Sequence, residues 1–338
     1  MINFNNLPKA LSYDDIAIIP RVISTIEHRS ECITSTMFCG QKLNLPIVAS
    51  PMSDVCDGEM SKHLAENGCF GLIHRFMTIE EQVNQYTLSL RGGLACNRVG
   101  CAIGCTGDYK DRFTSLYFEG CRIFCIDVAN GANIQVQNAI KWIRSFESST
   151  ISKVYIIAGN VASGECFRWL ANLPIDYVRI SIAVGSQCVT RYATGVYCPI
   201  VTTILECIEE RNKLDKYVGI IACGSCRGPS DFTKALALGC DMVMLGSVLA
   251  STKESPSMFI KKDSVVYKAY KGAASYGAQL ERGQVPKYIE GDEDLLPYTG
   301  KLNKTIQRFQ EGLQSAMSYV NARTLKDFRT NVTFVRVS

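Results

Sequence analysis

The chain is predicted to fold as one (β/α)8 barrel of the TIM type, a single domain over residues 1–338. Three observations predict it. Short runs rich in β-branched residues alternate with helix-length amphipathic segments from residue 46 onward. Eight such β-then-α units follow one another. No tract rich in Pro, Gly or Ser separates them as a linker would. Alternation of this kind makes a parallel sheet with right-handed crossovers, and eight units favour a closed barrel over an open, doubly wound sheet.

The first unit pairs a strand at 46–50 with a helix at 58–67, and Ile47 and Val48 give the run its strand character. The second pairs 70–74 with 79–90, the third 94–103 with 107–118, and the fourth 122–128 with 134–146. The fifth pairs 154–158 with 164–172, the sixth 177–182 with 200–213, and the seventh 218–222 with 230–238. The eighth strand, 242–245, precedes a short helical segment after Gly246. The stretch 267–300 breaks the pattern. Charged and glycine-bearing, it reads as a mobile, flap-like excursion at the barrel mouth. A helix at 302–320 and a β-like tail at 333–337 end the chain.

Composition narrows the function classes. Of 338 residues, 47% are hydrophobic and 20% charged, which suits a globular core. The net charge of +4 carries no long basic run, so no nucleic-acid partner is indicated. The first eleven residues lack the basic and apolar regions of a secretory signal, and no apolar run reaches membrane-spanning length. Sixteen cysteines without such a signal, several in strand-like runs, read as reduced thiols in a cytoplasmic protein rather than a disulfide framework. Cys223 and Cys226 form a C-x-x-C, but no second pair at metal spacing accompanies it, so no structural metal is expected.

In a barrel the chemistry sits at the C-terminal ends of the strands. Asp127, Asn130 and Gly131 follow the fourth strand, and Gly159 and Asn160 the fifth. Cys188 follows the sixth. Gly224 and Ser225 follow the seventh, and Gly246 and Ser247 the eighth. In S-I-A-V-G-S-Q-C-V-T-R (181–191), Cys188 comes just after a Gly-Ser pair, with Thr190 and Arg191 just beyond it. A nucleophilic thiolate needs positive charge or N–H groups nearby, and a Gly-Ser turn supplies such N–H groups and also cradles phosphate. Two further Gly-Ser pairs after the last two strands fall where barrels commonly hold phosphate. Taken singly, the features are ordinary. Gly-Ser is a common turn, a threonine hydroxyl often caps one, and the acidic run around Glu290 reads as a solvated loop.

Over nearly its whole length the chain resembles the IMP dehydrogenase and GMP reductase barrels. The resemblance rests on L-S-Y-D-D-I-A-I-I-P at 11–20, P-I-V-A-S-P-M at 46–52, G-L-I-H-R at 71–75 and I-D-V-A-N-G at 126–131. It continues through I-A-G-N-V at 157–161, the Cys188 loop, V-M-L-G-S at 243–247 and Y-K-G at 270–272. It implies Cys188 as the nucleophile that attacks C2 of a purine nucleotide, and a homotetramer of barrels. It places the substrate against Ser186, Cys223, Gly224, Ser225, Gly246, Ser247, Gly272, Ala273, Ala274 and Gly291. It places the nicotinamide cofactor against Asp127, Ala129, Asn130, Ser315 and Ser318.

Within the family, the chain is most similar to the reductase branch. Only residues 75–78 separate His74 from the next helix, so the paired regulatory domain of dehydrogenases has no room there. The 267–300 stretch is too short for the dehydrogenase flap and lacks its Arg-Tyr pair. It carries Glu290-Gly291 ahead of L-P-Y-T-G, as reductases do, and the T-F-V-R-V tail also looks like reductase. P-M-S-D-V and His74-Arg75 look more like dehydrogenase. The reductase resemblance implies reductive deamination of GMP, or dGMP, with NADPH, or NADH as the alternative. The Cys188 thiolate adds at C2, ammonia leaves with a proton relayed by Thr190 and Glu290, and the adduct takes a hydride. The alternatives are an IMP dehydrogenase without a regulatory domain and a non-catalytic purine-nucleotide binder.

Departures from the family pattern sharpen the question. Cys223 stands where the family has an aspartate that accepts hydrogen bonds from both ribose hydroxyls, which leaves open a substrate lacking one hydroxyl such as a 2′-deoxynucleotide, a different nucleotide, a weakened paralogue, or rescue of the contact by a neighbour such as Ser225. Ser181, Ala183 and Val184 replace two glycines and a proline, which restricts the backbone and weakens the case for a monovalent-cation site. Gln314 replaces an arginine, and the 281–290 loop lacks the arginine that precedes the acidic residue, which weakens the case for NADPH over NADH.

Overall fold

The structure is a computed structural model that describes residues 8–91, 93, 98–150 and 152–337. Eight parallel strands form the barrel: β1 Ile47–Ala49, β2 Gly71–Ile73, β3 Val99–Ile103, β4 Ile123–Asp127, β5 Tyr155–Val161, β6 Tyr177–Ile180, β7 Gly219–Cys223 and β8 Met242–Leu245. Each strand pairs with its sequence neighbours, β8 pairs with β1, and a bridge between Val48 and Phe70 closes the circle. Every expected strand is present, most of them trimmed at one or both ends. Residues 94–97 of the third expectation lie outside the described residues. Strand β5 runs three residues past its expected end because the ladder with β6 resumes at Val161 after an irregularity at Gly159.

The strands read as near-continuous apolar runs because both of their faces are buried. Along β7, Ile220 and Ala222 face the surrounding helices while Ile221 and Cys223 face the barrel interior. The interior also holds Val48, Leu72, Cys125, Ile157 and Met244. Its N-terminal end is plugged by Phe38, Cys39 and Leu43 from a small hairpin, Thr36–Phe38 with Gln41–Leu43. The helices Gly58–Glu66, Ile79–Ser89, Tyr109–Phe118, Ile134–Ser148, Gly164–Ala171, Ile200–Arg211 and Pro229–Leu238 form the outer ring. Their starts carry local signals, such as Asp57 accepting from Met60 N and the reciprocal Thr78–Glu81 cap. The chain ends are tied together, since Ile16–Ile19 pairs antiparallel with Thr333–Arg336.

The excursion at the mouth differs from the loop expected at 267–300. It begins earlier and is built as a three-stranded antiparallel sheet, β9 Phe259–Lys262, β10 Val265–Lys271 and β11 Glu293–Pro297, with a short helix, Tyr276–Glu281, between the last two strands. The β9–β10 turn is Asp263-Ser264, both at positive φ, as a two-residue hairpin requires. The Lys268 side chain is fully buried and donates to Ser255 O, which fixes the sheet to the chain leaving β8.

Candidate active site

The loop after β6 carries Cys188 over the barrel mouth. Its backbone turns tightly, with Cys188 N donating to Gly185 O at 3.0 Å. Ser181 and Ala183 sit at φ +93° and +63°, in the left-handed region that glycine favours. The loop therefore keeps a glycine-type backbone at two positions that carry side chains, despite the restriction those side chains impose. Ser225 after β7 is likewise at φ +56°, and its N and Oγ both donate to Val184 O, at 3.1 and 3.0 Å. The loops after β6 and β7 are thus clasped together.

A short backbone ladder joins the Cys188 loop to the flap. Cys188 pairs antiparallel with Gly291, Val189 N donates to Glu290 O, and Asp292 N donates to Gln187 O. Gly272 and Gly291 make this approach feasible. A Cβ on Gly272 would lie 2.8 Å from Gln187 O, and one on Gly291 would lie 2.7 Å from Ser275 N. The ladder sets the side chains. The Cys188 thiol donates to Thr190 Oγ1 at 3.2 Å, and Thr190 Oγ1 donates to Glu290 Oε2 at 2.7 Å. Thr190 opens the five-residue helix Thr190–Thr194, so its hydroxyl is held beside the thiol by the turn itself. A thiol, a hydroxyl and a carboxylate in one chain can carry a proton from sulfur to carboxylate and return it to a group bound at sulfur.

The expected phosphate side gathers around Tyr270. This buried phenol is hydrogen-bonded with Ser186, and burial pushes its pKa up. A Cβ on Gly246 would come 2.8 Å from the Tyr270 hydroxyl, so glycine leaves the space open there. Ser247 starts the short helix Ser247–Ala250 beside it. Gly224, at φ +95°, packs against Val184. Ala273 offers its carbonyl to Arg282 Nη1 at 2.8 Å, and Ala274 accepts from Glu290 N at 3.3 Å. Ser186, Gly224, Ser225, Gly246, Gly272, Ala274 and Gly291 therefore belong to the cluster of loops that surrounds Cys188.

Below the mouth lies a residue the sequence reading passed over. Arg179 of β6 is only 5% exposed and points into the barrel interior. Its Nη1 donates to Asp127 Oδ1 at 2.5 Å and approaches Cys125 Sγ at 3.4 Å, while Nη2 faces Cys223 Sγ at 3.7 Å. Its Nε is buried without a partner among the described residues. The signal was available, since one arginine in an apolar barrel strand must find an acceptor inside. Cys223 also touches Met244 Sδ, at 3.6 Å. The pocket floor is thus an arginine, one aspartate and two thiols.

The cofactor expectations divide. Asp127 ends β4 at the mouth, with Oδ1 held by Arg179 and Oδ2 without a partner among the described residues. That oxygen is left to accept a further hydrogen bond at the mouth. Ala129 and Asn130 are exposed in the following turn, where Asn130 Oδ1 accepts from Ala132 N. Ser315 and Ser318 lie elsewhere. They sit on the outer helix Leu302–Tyr319, where Ser315 meets Arg29, and Ser318 O accepts from Ser24. Within one chain they do not join the mouth. Gln314 donates to Cys32 O in the same outer contact. The 281–290 stretch does contain an arginine, Arg282, eight residues before Glu290, and its guanidinium stacks over Phe76 at 4.8 Å. The fifteen described cysteines are free, no cluster among the described residues has metal-ligand geometry, and no described helix is long and apolar enough to cross a membrane.

Comparison with known proteins agrees with this architecture. The IMP dehydrogenase / GMP reductase domain matches residues 10–338. The chain is 31% identical over 389 residues to an inosine-5′-monophosphate dehydrogenase of Borreliella burgdorferi, covering 98% of this chain and 94% of that protein. It is 31% identical over 325 residues to a GMP reductase of Lactobacillus delbrueckii subsp. bulgaricus, covering 95% and 93%. A dehydrogenase of Chlorobaculum tepidum is 35% identical over 254 residues, 71% of this chain but only 50% of that protein. The two names share similar identity, and the alignment spans nearly all of one dehydrogenase. The short link after β2 therefore does not by itself choose between the branches. The chain belongs to the IMP dehydrogenase/GMP reductase family of nicotinamide-dependent oxidoreductases.

Proposed function

We propose that the protein is a GMP reductase-like enzyme that removes the 2-amino group of a guanine nucleotide reductively. The observation that carries this reading is Thr190, which bridges the Cys188 thiol at 3.2 Å and the Glu290 carboxylate at 2.7 Å. Deamination needs a nucleophile at C2 and an acid for the departing amine, because an amine leaves readily only when protonated. The relay serves both needs. Glu290 takes the thiol proton through Thr190 as sulfur bonds to C2, and returns it through Thr190 to the nitrogen. Ammonia then leaves and a thioimidate joins Cys188 to the base. When bound beside Asp127, a nicotinamide would supply the hydride for C2, and departure of the Cys188 thiolate would then release the hypoxanthine nucleotide. Covalent catalysis thereby separates amine loss from hydride transfer.

Around this step, Ser186, Gly246, Ser247 and Tyr270 hold the phosphate, Gly272, Ala273, Ala274 and Gly291 line the base, and Asp127, Ala129 and Asn130 border the nicotinamide. Assembly as a homotetramer is part of the proposal, with Ser315 and Ser318 serving a cofactor held by a neighbouring copy. The sugar side favours a 2′-deoxynucleotide. Cys223 presents a thiol rather than a carboxylate beside Arg179, and a thiol accepts two hydroxyl hydrogen bonds poorly. Incubation with GMP or dGMP and NADPH or NADH, and separately with IMP and NAD, tests the reading by mass spectrometry. Formation of IMP or dIMP with ammonia supports it. Oxidation of IMP alone identifies a dehydrogenase, and labelling of Cys188 by a thiol-reactive purine nucleotide without any turnover identifies a binder.

A further inference from the structure

The pocket floor holds a partly exposed thiol against a buried cation. Five of the fifteen described cysteines are partly exposed: Cys105, Cys166, Cys188, Cys198 and Cys223. Of these, only Cys223 has a guanidinium within hydrogen-bond range among the described residues, with Arg179 Nη2 at 3.7 Å. Arg179 is 5% exposed, and its Nε finds no acceptor among the described residues. Asp127 engages Nη1, on the other side of the group. One face of a permanently charged side chain therefore meets sulfur, and another meets nothing. A buried cation in that state favours any anionic oxygen brought to it.

The neighbouring sulfur atoms are placed differently. Cys125 is fully buried, and burial, opposed by the charge of Arg179, pushes its thiol up to about 11. It stays protonated and is a poor nucleophile. Cys226 shares the C-x-x-C with Cys223, yet its thiol is buried in the layer between barrel and helices and donates to Gly228 O at 3.7 Å. Cys223 instead faces the barrel interior, so the two thiols point apart and are not set to form a disulfide. Met244 Sδ, 3.6 Å from Cys223 Sγ, is a thioether with no proton to give. With no thiolate beside it among the described residues to capture a sulfenic acid, oxidised Cys223 continues to the sulfinic acid.

We propose that Cys223 is a site of oxidation by hydrogen peroxide, and that its sulfinate changes which sugar the pocket takes. One peroxide transfers an oxygen atom to the thiol, giving sulfenic acid and water. A second converts this to sulfinic acid and releases a second water. Sulfur loses four electrons, each peroxide gains two, and the acidic proton passes to solvent. The product presents two anionic oxygens on one atom, as a carboxylate does. One oxygen closes the 3.7 Å gap to Arg179 Nη2 toward an N–H···O distance of about 2.8 Å. The remaining lone pairs accept sugar hydroxyls, which the thiol does poorly. Thiols do not reduce a sulfinate, so the change is one-way. The inference rests on the proposed placement of the sugar against Cys223 and not on the reaction at C2.

Peroxide treatment of the full-length Cys188→Ser protein tests the proposal, because turnover is then absent and binding alone is read. Peptide mass spectrometry should find two added oxygens on Cys223. Calorimetry with GMP and with dGMP should show their affinity ratio moved toward GMP by about 10–100-fold, as one or two charge-assisted hydrogen bonds would give. In the same background, untreated Cys223→Asp should show the same shift, and peroxide-treated Cys223→Ser should show none. The proposal is wrong if Cys223 stays a thiol at peroxide levels that oxidise Cys188 in the parent protein, or if it forms a disulfide with Cys125. It is also wrong if the ratio stays fixed once the sulfinate has formed, or if treated Cys223→Ser shifts as well. Loss of the thermal transition on oxidation, or failure of Cys188→Ser to bind either nucleotide, overturns it too. Absence of turnover by the parent on every purine nucleotide, with the oxidation shift intact, would sink the reductase reading and leave this inference standing.

Discussion

Cys188 has two neighbours of contrasting design, the rim above it and the floor below. The rim is made by backbone pairing. Cys188 bridges to Gly291, Gln187 to Asp292 and Val189 to Glu290, so that Thr190 and Glu290 arrive beside the thiol with little freedom left. The floor is made by side chains from separate strands. Arg179, Asp127, Cys125 and Cys223 meet inside the barrel and depend on one another's identity. A contact set by the backbone survives side-chain exchange, provided the glycines that permit it remain. A contact set by side chains changes with a single substitution. In the proposed function, the reaction chemistry is therefore assigned to the rim and substrate selection to the floor.

The sharpest way to break this division is at the thiol. Cys188→Ser should abolish turnover, by more than about 1,000-fold, yet leave nucleotide affinity within a few fold, because the proposed phosphate and base contacts lie on other residues. Retained activity would remove Cys188 from the reaction. Next comes the relay. Thr190→Val and Glu290→Gln should each slow amine loss by about 100–10,000-fold, and the double variant should be scarcely slower than the worse single. Additive losses in single-turnover kinetics would show that the two act separately.

The floor is tested by Cys223→Asp. The new carboxylate would face Arg179 Nη2, which among the described residues meets only sulfur, and would be charge-paired while accepting sugar hydroxyls. The ratio of kcat/KM for ribonucleotide over 2′-deoxynucleotide should rise about 10–100-fold. A parent enzyme that already prefers the ribonucleotide, with no change in the variant, would contradict the floor's role. The smallest effect concerns the loop that joins rim to floor. Ala183→Gly should raise stability by about 0.5 kcal/mol, since relief of a left-handed alanine slightly exceeds the entropy glycine adds to the unfolded chain. Urea unfolding measures it, and a loss of stability would mean the backbone there is not strained.

How much was legible follows from the same contrast. The barrel could be read because each strand and helix carries its own period in sequence. Cys188 could be read because its Gly-Ser turn is local. Glu290 was identified through family resemblance, since its own acidic run reads as solvent-facing. Its partner Thr190 is 100 residues away, and the pairing that joins them runs through backbone atoms that leave no pattern in side chains. Arg179 was readable as a charge inside an apolar strand but was absorbed into the run. The plug around Phe38 escaped because three-residue strands have too few residues to show alternation, and the flap sheet escaped because its strands of four, seven and five residues carry Lys, Glu or Asp instead of an apolar run. Ser315 and Ser318 follow from resemblance alone, and in a single chain they belong to the outer helix.

The central claim is that Cys188, Thr190 and Glu290 act as one unit to expel an amine before reduction. The most direct measurement is the stoichiometry of ammonia released to nicotinamide oxidised, with GMP and dGMP as substrates, in the parent and in Glu290→Gln. The account predicts one ammonia per nicotinamide oxidised in the parent, and loss of both signals together in the variant. Reduction of NAD by IMP with no ammonia formed from any guanine nucleotide, or ammonia release undiminished in Glu290→Gln, would contradict it.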